Sequence, residues 1–460
     1  MSPGPDRDAR TAATREILRL AWPVMASQIL LNLTGLIDRM MIGRLAEAGG
    51  AAVPLAAVGY ASQLFHLVHT TLFAVGLACV ALMARAIGAG DATRARQAFT
   101  GSVQISTLVT GVYAGLLLSF TEPALALLGA EPAVVAVAAP YLRLTVGASI
   151  VLAFTLIFES ALRADRRMRT PMLIGVAVTA CKLGLNAVLI FGWLGAPRLE
   201  VVGAGLATAA SQTLGLGLYA VLFARAPRDA ATAFRPGDLL RRNPMAREVI
   251  RIALPGVAER VVLNLGLLSY FAILSHYYGT LSVAVYTVGV SILAFSWIPG
   301  TGYAQACATV VGQSLGAGRA DLATDAGRRS LWLAIATGVP MALVCALLRE
   351  PLARAFTDDG AVIAALSPFM LALALGQPFL QMHFTLAGVH RGAGDTVTPL
   401  FAAMVSAWGI RLPLAIAVGA WLGLDVVWIW VTLVLDHIAR AAWLGASFAR
   451  GRWRETRAGS

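Results

Sequence analysis

The chain has 460 residues, of which 58% are hydrophobic and 13% charged, and its mean hydropathy is +0.74. A soluble domain carries about 25% charged residues, so this composition excludes a water-soluble globule and indicates a polytopic membrane protein. The formal net charge of +12 does not require a nucleic acid, and we expect none as a partner. The arginines fall in short loops between apolar segments, where the positive-inside rule explains them.

Twelve apolar segments are long enough to cross a bilayer as helices, since a crossing needs roughly 20 apolar residues. The polar N-terminus is followed directly by a long span, so we expect no cleaved signal peptide. The predicted spans are residues 17–41, 53–80, 98–120, 134–161, 170–193, 202–224, 249–275, 281–311, 329–348, 361–388, 399–420 and 425–447.

Arginine-rich and arginine-poor loops alternate along these spans. The rich set includes the loops around residues 94–96, 163–169 and 225–251, and the tail from 450 to 457. The poor set holds only Arg44, Arg198, Arg349 and Arg354. The rich loops are therefore predicted to be cytoplasmic, with both termini inside. We expect a multi-pass protein of the inner (plasma) membrane.

The two halves of the chain repeat each other. Residues 16–38 and 248–270 share nine identities at an offset of 232, including Pro23 with Pro255. Further on the offset becomes 228, and the Thr-Pro pair at 170–171 then matches the pair at 398–399. Six spans per half give a parallel repeat, for which alternating access between two bundles is the expected mechanism.

This repeat predicts the domain organisation. An N-terminal six-helix lobe is expected over residues 1–224, a cytoplasmic linker over 225–247, and a C-terminal six-helix lobe with a short tail over 248–460. The fold class is therefore an all-α membrane protein with twelve helices in two bundles related by a pseudo-two-fold repeat.

Several motifs in register resemble the multidrug and toxic compound extrusion (MATE) transporters. They are LIDRMMIGRL from Leu36, LPGVAERVVLNLG from Leu254, VVGQSLGAG from Val310 and HRGAGDTVTP from His390. The resemblance runs nearly end to end. It implies two lobes around a central cavity and export of small organic, often cationic compounds, driven by inward flow of H⁺ or Na⁺. A flippase for a lipid-linked glycan, from the wider superfamily, is the alternative.

Asp38 is the first candidate for ion coupling. A charged residue inside a span usually faces a cavity or a partner, and burial favours the protonated form of a carboxyl group. The resemblance implies a coupling aspartate at this position of the first helix. An interfacial aspartate paired with Arg39 or Arg44 is the structural alternative, and the repeat-equivalent position in the second half is Tyr270.

Lys182, the only lysine of the chain, and Asn186 share one face of the fifth span. Relatives in the family often carry Asn and Asp at these two positions, facing the first-helix aspartate. A fixed ammonium there would repel Na⁺, so we expect Lys182 to pair with deprotonated Asp38 and coupling to be to H⁺. Counted along their helices, Asp38 lies about 27 Å and Lys182 about 18 Å deep, so contact requires the long lysine chain or an offset of the helices. A lysine facing a water-filled cavity is the alternative.

Five polar residues of the second half are candidates for lining a substrate cavity. Glu259 could bind a cationic substrate, and an ion pair with Arg260 or another helix is the alternative. The other four could contact flat cationic compounds or form interhelical hydrogen bonds. They are Tyr270, Gln377, Gln381 and His383.

Other classes of protein find little support in the sequence. The single lysine is followed by leucine, so the chain has no P-loop for ATP. The four cysteines lie singly in apolar spans, which indicates small buried hydrophobic residues rather than disulfides or a metal site. We expect no metal, no organic cofactor and no enzymatic activity, with the coupling ion H⁺ rather than Na⁺. We expect a monomer surrounded by membrane lipid.

Overall fold

The computed structural model describes residues 5–46, 52–227 and 229–455, and these are folded almost entirely into helices. Contacts divide the chain into two compact units. The first unit is Ala26–Arg251, and the second unit is Met1–Met25 with Ile252–Ser460.

The described residues form twelve membrane-spanning elements, which we number α1 to α12. Ten helices are individually long and apolar enough to cross a bilayer, and a bent pair of helices makes one more. The 51-residue helix Ala246–Ser296 breaks at Gly279, where φ is +74°, so it supplies two spans. The predicted twelve-helix, two-bundle architecture is confirmed.

The N-terminal six elements follow one another with short connections. The bent element α4 changes direction by 41° at Ala148. The elements are α1 (Pro5–Ala46), α2 (Ala52–Gly88), α3 (Ala92–Ser119), α4 (Pro132–Gly147 with Ser149–Ala164), α5 (Arg169–Phe191) and α6 (Glu200–Ala224).

The second six elements begin within the long broken helix. The part of that helix before Gly279 is α7. The part after Gly279 is the start of α8, which continues through Ile298–Gly316. The others are α9 (Ala320–Leu347), α10 (Gly360–Gly392), α11 (Val397–Trp421) and α12 (Val426–Arg450).

The helix boundaries repeat with the same offset as the sequence. The starts of α3, α4 and α5 lie 228 residues before the starts of α9, α10 and α11. A short helix that follows the third span of each half obeys the same spacing, at Thr121–Leu127 and Arg349–Arg354. The two halves therefore share these helix starts. They differ where α4 bends at Ala148 while α10 is continuous, and where α11 contains π-helical turns.

Small residues allow close contacts between helices inside the second unit. A Cβ on Gly388 or Gly392 of α10 would lie 2.4 Å from the carbonyl oxygen of Ala304 or Ala308 on α8. Without a lateral hydrophobic effect in lipid, close packing of this kind is a main source of helix association.

Candidate functional site

A partly buried polar triad lies in the first unit, between α1 and α5. Lys182 Nζ donates a hydrogen bond of 2.5 Å to Asp38 Oδ2, and Asn186 Nδ2 donates one of 2.7 Å to Asp38 Oδ1. Both carboxylate oxygens are thus bound by donors from one helix. Asp38 and Lys182 also form an ion pair.

Helix geometry explains why α5 supplies both donors. Lys182 and Asn186 are four residues apart, so their side chains project from the same face about one turn apart. Asn186 is fully buried, whereas the side chains of Lys182 and Asp38 keep about a fifth of their surface, 20% and 21%. The ion pair can therefore be reached from a neighbouring space, while the amide behind it cannot.

That space is a cavity of about 160 Å³ within the first unit. Asp38 and Lys182 form part of its wall, so a water chain there could carry a proton to the carboxylate. The volume is several times the roughly 30 Å³ that one water occupies in the liquid. The remaining wall comes from α1, α2, α4 and α6: Gly35, Ile42, Val58, Ser62, Tyr141, Ala204 and Thr208.

The charge of this site depends on one proton. With Asp38 ionised, the carboxylate and the ammonium cancel. With Asp38 protonated, the ammonium of Lys182 loses its counter-ion and the site carries a net charge of +1.

The equivalent position in the second unit has a different chemistry. Tyr270 takes the place of Asp38, and its hydroxyl donates to the carbonyl of Ile429 at 2.7 Å. Arg411 lies 5.4 Å from the centre of the tyrosine ring, in a π-helical turn of α11. Arg411 also pairs with the buried Asp436 at 3.4 Å, and Arg440 pairs with the same carboxylate at 3.0 Å.

This arrangement contains the nearest counterpart of the triad, but it is not built to exchange a proton. Two arginines hold Asp436, and neither can lose its charge in a protein. Sequence reasoning missed the aspartate and Arg440, although the i, i+4 spacing of the two residues on α12 was available as a signal.

The remaining candidates of the second unit are buried in its interior. Glu259 receives two hydrogen bonds from Arg391 Nη2, at 2.7 and 2.8 Å, so its partner is an arginine of α10. Gln377 donates to the hydroxyl of Ser296 at 2.9 Å. Contact with a substrate remains a prediction for these residues.

Two further candidates lie beside this group. Gln381 donates to the backbone carbonyl of Ser296 at 2.6 Å. The ring of His383 stacks on that of His437 with 5.3 Å between centroids. Both contacts join neighbouring helices, as polar groups in membrane bundles commonly do.

Three smaller observations concern arginines and cysteines. Glu159 contacts Arg163, which lies one turn further along α4. All four cysteines are free. The alternative partners for Asp38, the side chains of Arg39 and Arg44, lie outside the described residues.

The fold and the triad define a membrane transporter made of two six-helix repeats, with an ion-pair site in the first unit. The MatE family model matches residues 23–191 and 255–417, so both halves carry the family pattern. The chain belongs to the multidrug and toxic compound extrusion family of transporters.

Named relatives cover almost the whole chain. A probable multidrug resistance protein NorM of Deinococcus radiodurans is 31% identical, over 92% of this chain and 92% of its own length. The corresponding protein of Thermotoga maritima is 27% identical, over 96% of this chain and 93% of its own.

Solved structures agree on the fold. The MATE transporter VcmN of Vibrio cholerae, in its bent form, superposes with a TM-score of 0.86 at 21% identity and covers 96% of this chain and 98% of its own. A MOP superfamily transporter from Pyrococcus furiosus gives 0.84 at 20% identity, with 96% of each chain covered. The latter is described as having a binding pocket of reverse polarity that suggests a different function.

Proposed function

We propose that this multidrug efflux transporter is a secondary antiporter that exports amphipathic organic cations by alternating access and is driven by inward flow of H⁺. The observation that carries the proposal is the ion pair between Asp38 and Lys182. The second carboxylate oxygen of Asp38 accepts a hydrogen bond from Asn186. We further propose that it works as a monomer in the plasma membrane with both termini in the cytoplasm.

The proton acts by opening the ion pair. When Asp38 accepts a proton from the cavity, its attraction for the ammonium falls and the link between α1 and α5 weakens. When the proton leaves, the link forms again. Because the ion pair joins two helices of one bundle, its opening and closing change how tightly α1 and α5 pack against each other.

The sign of the charge change fits an exchange of H⁺ for a cation. The protonated site carries +1 and repels a cationic compound, while the deprotonated site is neutral and tolerates it. A unit charge about 8 Å away changes the free energy of a cation by about 2 kcal/mol at an effective dielectric constant of 20. Proton loading would therefore favour release of the substrate.

Sodium is disfavoured at this site for two reasons. Hard cations need oxygen ligands, and both oxygens of Asp38 already accept hydrogen bonds from nitrogen donors. The ammonium group of Lys182 also occupies the place beside the carboxylate that a bound cation would take. The lysine thus acts as a built-in counter-ion.

The proposal is tested by efflux of a fluorescent organic cation from proteoliposomes under an H⁺ gradient or a Na⁺ gradient alone. We expect the wild type to respond to the H⁺ gradient only. Asp38→Asn should lose gradient-driven efflux while still exchanging labelled for unlabelled substrate. Undiminished H⁺-driven efflux by Asp38→Asn would remove the triad from the mechanism.

A further inference from the structure

The segment between the two halves is folded onto the first unit and forms one wall of an open cavity lined with arginine. We propose that this cavity binds a phosphate group, carried either by an anionic lipid or by a soluble phosphate. It lies within the first unit, between the start of α3 and residues 233–244, and measures about 260 Å³. None of the triad residues lines it.

The segment is anchored by side chains of α3. Gln104 Nε2 donates to the backbone carbonyls of Asp238, Leu239 and Arg241, at 3.2, 2.9 and 2.8 Å. Arg96 Nη1 donates to the carbonyl of Asp229 at 2.8 Å. One glutamine amide thus fixes three residues of the segment, and the cavity has a defined wall.

Apolar contacts with the helices of the first unit also hold this segment in place. Thr232 and Ala233 are buried. The ring of Phe234 lies 5.5 Å from that of Phe99 and 5.1 Å from that of Phe158. The three residues just before Arg235 are therefore packed against the hydrophobic interior, which limits the positions that Arg235 can adopt.

The charges around the cavity do not balance. Arg96, Arg235, Arg241 and Arg242 line it, with Asp238 as the one carboxylate, which leaves +3 from four positive charges and one negative. Arg241 lies 3.7 Å from Asp238. Among the residues that the structure describes, Arg235 and Arg242 form no ion pair.

Phosphate is the ligand that this arrangement fits. A guanidinium group presents paired N–H donors that match two oxygens of a phosphate, and the cavity is roomy enough for the group with attached water. Thr93 adds a hydroxyl to the wall. Basic pockets at the ends of membrane helices are a common site for anionic headgroups, and a free phosphate ester offers the same oxygens.

Hydrogen exchange of residues 229–245 in the full-length protein tests the proposal. One arm adds inorganic phosphate or pyrophosphate to protein in a neutral detergent at constant ionic strength. The other compares nanodiscs of phosphatidylglycerol with nanodiscs of phosphatidylcholine. At ten times the dissociation constant, a ligand that binds only the closed segment should slow exchange about 11-fold.

Two double variants separate a built site from general attraction by charge. Arg235→Gln with Arg242→Gln removes two lining arginines that are exposed at the surface. Arg225→Gln with Arg247→Gln removes two exposed arginines outside the cavity. Both change the net charge equally. Unchanged exchange in α5, another helix of the first unit, reports that each variant is folded.

The expected result is slowing in the wild type and in the second variant, and none in the first. Slowing by phosphate or pyrophosphate identifies a soluble ligand, and slowing only in phosphatidylglycerol identifies a lipid headgroup. Absence of slowing in both arms, or equal slowing in both variants, would overturn the proposal.

Discussion

Replacement of Lys182 by asparagine should make this transporter responsive to Na⁺. The ammonium nitrogen lies 2.5 Å from Asp38 Oδ2, so a sodium ion bound to the same carboxylate would sit about 4 Å from that nitrogen. Two unit charges at 4 Å repel each other by about 4 kcal/mol at an effective dielectric constant of 20. We therefore expect the lysine to lower the affinity for Na⁺ by about a thousandfold.

Asparagine removes this charge and offers an amide oxygen as a ligand. The assay is efflux of a fluorescent cation from proteoliposomes with a Na⁺ gradient at equal pH on both sides. The wild type should show no response, and Lys182→Asn should show Na⁺-driven efflux. Lys182→Arg serves as the matched control, because it keeps the positive charge and should stay insensitive to Na⁺.

One result would refute the reasoning. If Lys182→Asn were indifferent to Na⁺ and retained H⁺-driven efflux at the wild-type rate, the lysine would be a bystander in a polar cavity. Size-exclusion profiles of the variants, compared with the wild type, guard against a loss of folded protein.

Two further predictions concern stability of the second unit. Glu259→Gln leaves Arg391 with a buried charge and no carboxylate partner. This change should cost about 3 kcal/mol of stability and lower the melting temperature in detergent. The control Glu122→Gln should change the melting temperature little, because its ion pair has side chains that are 62% and 52% exposed. Equal melting temperatures for the two variants would contradict this. Gly388→Ala places a Cβ 2.4 Å from a backbone carbonyl oxygen of α8 and should also lower the melting temperature. The control Gly111→Ala meets no atom within 4 Å and should leave the melting temperature unchanged. An unchanged melting temperature for Gly388→Ala would show that α8 and α10 can separate freely.

The spans were predictable because apolar length carries that information. The break at Gly279 falls between the predicted spans ending at 275 and starting at 281. The helix Thr121–Leu127 was missed, since seven residues give too short a pattern to separate from a loop. Helix α1 begins at Pro5 rather than at residue 17, because polar residues continue a helix beyond the membrane without any apolar signal.

The candidate site was only partly predictable. The spacing of Lys182 and Asn186 placed them on one face, but depth counted from the helix starts set Asp38 and Lys182 about 9 Å apart along the membrane normal. The offset of the two helices and the direction in which the long lysine chain extends leave no trace in one sequence. The partner of Glu259 lies 132 residues away on α10, and no local pattern could identify it.

The solitary lysine also gives the protein a chemical handle. Apart from the N-terminal amine, Lys182 carries the only amino group of the chain, and its side chain borders a cavity. Acylation of an amine removes its positive charge. A reagent of this kind would therefore take away the counter-ion of Asp38 in the assembled transporter, without any substitution in the sequence.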